Sequence, residues 1–119
     1  MYIMKNYLRI GYFTAQPSSI DPFHGFDPDS YTAIMACHDS LTMIGGDGKL
    51  LPSLATSWER ISPTCVEFEL RKNVSFHNGE LFDAIAVEKT LNAQRDPKNN
   101  SPTGLAILSP ISQVEVINN

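Results

Sequence analysis

His24, His38 and His77 are the side chains best suited to holding a metal ion or moving a proton. They stand far apart, with no HxxxH or HExxH pair, so a metal site would need the fold to bring them together. His38-Asp39-Ser40 contains the residue types of a nucleophilic triad. Three neighbours on one helix point in three directions and cannot relay a proton, and no GxSxG elbow is present. Gly45, Gly46 and Gly48 match neither GxGxxG nor a phosphate loop and read as a turn. Glu67 and Glu69 fall on one face of an alternating stretch, which makes them solvated strand residues and not an acid–base pair. Trp58, close to Leu54 and Ala55, reads as a core residue whose indole N–H needs one partner. Cys37 and Cys65 form no CxxC and read as buried free thiols in preference to a disulfide. Asn73-Val74-Ser75 is a glycosylation sequon, meaningful only in a eukaryotic secretory setting.

Size and charge narrow the classes further. A chain of 119 residues with 42% hydrophobic composition fits one globular domain or a part of one. Its net charge of −4 provides no basic track for phosphates, which argues against a nucleic-acid binder and against anionic membrane surfaces. Apolar runs such as Ala84 to Val87 fall far below the ~20 residues that cross a bilayer, so no direct membrane insertion is predicted. Met1 to Arg9 lacks the continuous apolar core and cleavage site of a secretory signal.

The elements that would position these residues form a mixed α and β pattern. Leu8 to Phe13 alternates like a strand and runs into a loop over Gln16-Pro17-Ser18-Ser19, followed by irregular chain from Phe23 to Asp29. Asp29 or Ser30 would cap a helix whose face carries Tyr31, Ile34, Met35, His38 and Leu41, ending near Ile44. Cys65 to Arg71 is the clearest strand, with Val66, Phe68 and Leu70 facing the core and Glu67, Glu69 and Arg71 facing water. Lys72-Asn73 turns the chain, and His77-Asn78-Gly79 carries a hairpin signal. Asp83 caps a second helix through about Gln94, with Val87 and Leu91 as an i,i+4 apolar pair, and Asp96-Pro97 ends it. Lys98 to Thr103 reads as a polar loop, and Val114 to Asn119 as a final strand that lacks a following partner, which gives the chain an unfinished look.

The order of segments is more specific. Leu50-Leu51-Pro52-Ser53-Leu54-Ala55-Thr56-Ser57-Trp58-Glu59, then Val66 to Arg71 followed by Lys72-Asn73-Val74-Ser75-Phe76-His77-Asn78-Gly79-Glu80-Leu81-Phe82-Asp83-Ala84, resembles the signature of family 5 bacterial extracellular solute-binding proteins. Leu8-Arg9-Ile10-Gly11, Ser19-Ile20-Asp21-Pro22 and His38-Asp39-Ser40-Leu41 extend the resemblance over nearly the whole chain. Asn73, Asn78, Leu81, Ala86 and Lys89 depart from the usual residues. Asn tolerates left-handed backbone, so the first two departures are mild.

The resemblance implies an α/β, class II periplasmic-binding-protein-like fold, of which residues 1–119 would be the amino-terminal part of the first lobe, the rest of that lobe and the second lobe being absent. It implies capture of a peptide or a similar small solute, in some members nickel, haem or an oligosaccharide, outside the cytoplasmic membrane and delivery to ABC permease subunits. Neither catalysis nor a cofactor is implied. The part of the cleft carried here would be the loop after the first strand, with Thr14, Ala15, Gln16, Ser18 and Ser19 approaching ligand and Phe13 as an apolar wall. Backbone groups in such a loop bind extended peptides with little side-chain selectivity. An alternative on the same fold is a ligand-sensing domain of a transcription regulator, for which Met1, almost directly before the first strand, leaves no room for a DNA-binding segment. A hydrolase or metal enzyme built on the three histidines is the contrasting class. A sheet without its later strands exposes edges and an apolar face, so the piece is expected to fold poorly alone.

Overall fold

The computed structural model describes Gly11 and residues 16–118, and the expected first strand otherwise lies outside that range. Helix α1, Pro28–Cys37, is followed by strands β1 (Thr42–Ile44), β2 (Leu50–Pro52), β3 (Ala55–Ser62) and β4 (Cys65–Leu70). Helix α2 (Ala84–Arg95), a 3₁₀ turn (Pro97–Asn99) and the short helix α3 (Pro102–Ala106) complete the order. The mixture of helix and strand agrees with the sequence, but several boundaries do not.

Helix α1 is capped by Asp27 and not by Asp29 or Ser30: the Asp27 carboxylate accepts from Ser30 N at 2.9 Å, and Pro28 follows at the first helical position. Proline has no N–H to lose there and its φ suits the first turn. The helix stops at Cys37, well before Ile44, because His38 is already extended with φ −129° and ψ 140°. Leu41 is drawn into pairing with distant chain, accepting from Ser53 N at 3.2 Å and Ala55 N at 2.8 Å. Thr42 to Ile44 then pair antiparallel with Leu50 to Pro52. Ladder bonds thus override a helical spacing that only Ile34 of the expected face obeys: Ala33, Ile34 and Ser30 are buried, while Tyr31 and Met35 are exposed. The predicted glycine turn closes this hairpin, with Gly48 at φ 79° and Gly45 N donating to Lys49 O at 2.8 Å.

The β3–β4 hairpin sets Trp58 opposite Phe68 and Ser57 opposite Glu69. Its strand β4 matches the sequence reading, but its expected core face is not closed: Val66 and Phe68 are each 41% exposed and Trp58 is only half-buried. No second layer covers them among the described residues. Asn73 adopts the left-handed conformation expected of it, φ 60°. In the next turn it is Gly79 that is left-handed, φ 87°, while Asn78 uses its side chain to accept from Glu80 N at 3.1 Å. That turn is fastened by an antiparallel bridge between Ser75 and Leu81 and by edge-on packing of Phe76 against Phe82, centroids 6.0 Å apart.

Helix α2 begins as expected, with the Asp83 carboxylate accepting from Ala86 N at 2.7 Å. The polar segment after it is ordered as the 3₁₀ turn and α3, because Asp96 and Ser101 each act as an N-cap before a proline. Val114 to Asn118 pairs with no strand among the described residues, so the final strand is not formed there. Cys37 and Cys65 are free, as expected, but exposed and not buried: each sits at the end of an element, where the fold does not reach over it.

The described residues bury few apolar side chains, namely Ala33, Ile34 and Ala55. Met43, Ile44, Leu50 and Leu51 on the first hairpin and Ile61, Val66 and Phe68 on the second stay exposed. Burying one such side chain contributes about 1.5–3 kcal/mol, so these faces are under strong pressure to be covered. The purified 119-residue chain should therefore self-associate and bind a hydrophobic dye; a monodisperse monomer that binds none would contradict this. A sharper site is Gly104, where an added Cβ would lie 1.7 Å from the Gln94 carbonyl oxygen. Backbone cannot yield as a side chain can, so Gly104→Ala should cost about 1–3 kcal/mol, read as faster amide exchange across the end of α2 and α3.

Candidate functional site

The loop before α1 is organised around one carboxylate. Asp27 accepts through Oδ1 from Ser30 N at 2.9 Å and through Oδ2 from the hydroxyls of Ser18 and Ser30. The Ser30 hydroxyl, fully buried, in turn accepts from Ser19 N at 3.1 Å. No cation pairs with Asp27 among the described residues. The donated bonds, Ser18 first, hold its carboxyl far below the usual carboxylate range, and the helix amino terminus favours the same charge. Gly25 completes the packing: a Cβ there would stand 3.0 Å from Ser19 O and 2.5 Å from Ile34 Cδ1, so the chain can pass this close only without a side chain.

A second node lies beside it. Asp21 N donates to Ser19 Oγ at 3.0 Å, and Asp21 Oδ1 accepts from Phe23 N at 2.9 Å. The carboxylate also meets His24 Nδ1 at 2.9 Å, while His24 Nε2 reaches Asn99 O at 3.1 Å.

Of the loop residues expected to approach ligand, Phe13, Thr14 and Ala15 lie outside the described residues. Gln16 is exposed. Ser18 and Ser19 come together as expected for one loop, but their hydroxyls are engaged by Asp27 and Asp21, so each braces the loop from within. Sequence reasoning missed Asp27, Ser30 and Asp21 as the bracing groups. The Asp-Pro pair at Asp27-Pro28 was the available signal for the first of them.

An open, largely apolar groove of about 260 Å³ lies alongside, between Gly25, Phe26, Asp27, Pro28 and Tyr31 on one side and Thr103 and Ile107 on the other. It is smaller than the roughly 300–1,000 Å³ of most small-molecule sites. A second, wider groove of about 480 Å³ brings His38 and His77 to one surface with Glu80 and Lys89. His24 is not in it, and among the described residues no three His, Cys, Asp or Glu side chains are placed to hold a metal ion. Nor do His38 and Ser40 relay a proton: His38 Nδ1 lies 3.2 Å from the Ile34 carbonyl, and the Ser40 hydroxyl donates to Thr42 O. No described helix is long and apolar enough to cross a membrane.

This architecture is that of a part of the periplasmic-binding-protein-like fold. Over 76% of its length the chain superposes on 18% of the periplasmic murein tripeptide-binding protein MppA in its unliganded open form, with a TM-score of 0.71 and 24% identity. Residues 49–119 match the middle region of the bacterial extracellular solute-binding proteins, family 5, and the chain belongs to that family. It is also 34% identical over 86 residues to the nickel-binding periplasmic protein of Escherichia coli (strain K12), an alignment covering 70% of this chain and 16% of that protein. The matched segments thus span about a sixth of the length of these relatives.

The Asp27 node yields a prediction of its own. Asp27→Ala should speed amide exchange at Ser19, Ser30 and Tyr31 together, since one carboxylate serves both the loop and the cap. Because its pKa is depressed, the stabilisation Asp27 provides is complete above its usual value near 3.8 and is lost as pH falls through the lowered one. Protection of these amides that is unchanged in the variant, or already lost at pH 5, would refute this role.

Proposed function

We propose that this chain is part of the substrate-binding component of an ABC importer, which captures a peptide or a similar small solute outside the cytoplasmic membrane and delivers it to the permease subunits. Family membership carries the reading: the matched segment, residues 49–119, supplies the two clearest framework elements, the β3–β4 hairpin and α2. The relatives are described as nickel-binding and murein tripeptide-binding periplasmic proteins, which supports a small extracytoplasmic solute. The solute is bound and released unchanged.

The loop Phe13, Thr14, Ala15, Gln16, Ser18 and Ser19 forms this chain's share of the cleft, as part of a first lobe that a second lobe closes upon. Asp27 and Asp21 brace Ser18 and Ser19, and preorganisation of this kind lowers the ordering cost of binding. Its two engaged hydroxyls leave main-chain groups as the natural contacts for an extended peptide.

A chimera tests the proposal. When this chain replaces the superposing segment of the murein tripeptide-binding protein, the product should bind tripeptide within about tenfold of the parent, a change of about 1.4 kcal/mol. A folded chimera with no tripeptide binding would count against the peptide reading, and uptake unaffected by loss of the permease would count against delivery.

A further inference from the structure

We propose that His24, seated between the Asp21 carboxylate and the Asn99 carbonyl, is a pH-dependent latch that fastens the loop carrying Ser18 and Ser19 to the turn after α2. Its Nδ1 lies 2.9 Å from Asp21 Oδ2 and its Nε2 lies 3.1 Å from Asn99 O. An ionised carboxylate and a carbonyl are both acceptors only. A neutral imidazole carries one N–H and can satisfy one of them, whereas the imidazolium donates to both. The geometry therefore selects the charged ring.

Both ends of the latch are anchored. Asp21 is tied to the candidate loop through Ser19 Oγ and to its own turn through Phe23 N. Asn99 is tied to α2 by its side chain, which donates to Ala93 O at 2.8 Å, and by its N–H, which donates to Asp96 O at 3.0 Å. His24 and Asn99 are 75 residues apart, so this single ring joins chain on either side of all four strands.

The charged surroundings act in the same direction. The Asp21 hydrogen bond foremost, then Asn99 O, raise the His24 pKa above its usual 6.5. The Asp21 carboxyl is held below its usual 3.8, chiefly by Phe23 N and then by His24, with His38 at the end of α1 adding a smaller pull. On the facing turn, Asp96 accepts from Lys98 N at 2.9 Å, and Lys98 forms no ion pair among the described residues. A raised histidine pKa stabilises fully below 6.5 and ceases to do so as pH rises through the raised value. A depressed carboxyl pKa stabilises fully above 3.8 and ceases to do so as pH falls through the lowered value. The latch is thus closed in mildly acidic solution and opens on the alkaline side by loss of one of its two bonds. Because the ring is half-exposed, solvent screens the effect, and the loop is loosened and not unfolded.

This inference does not depend on which solute is bound, and its test needs none. Deuterium exchange at the imidazole C2 position, followed by mass spectrometry against pH on the whole chain, reports the three histidines separately. His24 should titrate above 6.5, and Asp21→Asn should lower its midpoint. The amides of Ser19, Asp21 and Asn99 should lose part of their protection over that same pH interval, and in His24→Gln their protection should be reduced throughout it. A His24 midpoint at or below 6.5 in the unaltered chain would overturn the latch whatever the variants do, as would a midpoint that Asp21→Asn leaves unmoved or loop amides indifferent to it.

Discussion

The structure around the candidate loop depends on one half-buried arrangement of donors about the Asp27 carboxylate. The charge has no cation beside it among the described residues and is held by three hydrogen bonds, one from the backbone of Ser30 and two from hydroxyls. These same bonds start α1 and fix the loop before it. A helix cap and a loop anchor are usually separate devices; here a single side chain performs both tasks, so neither can be altered independently.

That economy contrasts with the strands. The two hairpins satisfy their backbone groups across short ladders, yet their outward apolar residues have no second layer. The relatives are roughly four times as long as this chain and so contain chain that it does not. Within each hairpin the ladder bonds are formed while apolar burial is not, and the difference locates where stability is missing.

Much of this was legible in the residues. The β4 alternation, the Asp83 cap, the glycine turn and the left-handed Asn73 each have a local physical cause, and local causes can be read from one sequence. The end of α1 could not be read in that way, since what stops it is pairing of Leu41 with Ser53 and Ala55. Burial was misjudged for the same reason: Trp58, Val66, Cys37 and Cys65 have the composition of core residues, but a core needs a covering layer that sequence patterning presupposes. Family order in the segments pointed correctly to a solute-binding protein, while the bracing roles of Asp21, Asp27 and Ser30 depend on contacts no spacing rule encodes.

The pairing order of the strands has a consequence for how the molecule is made. β1 meets β2, β3 meets β4, and Ser75 meets Leu81, so each partner is the next segment to be synthesised. Closing such short loops costs little entropy and is quick. The hairpins can form one after another as the polypeptide emerges, whereas the His24–Asn99 bridge must wait until the chain through Asn99 has appeared.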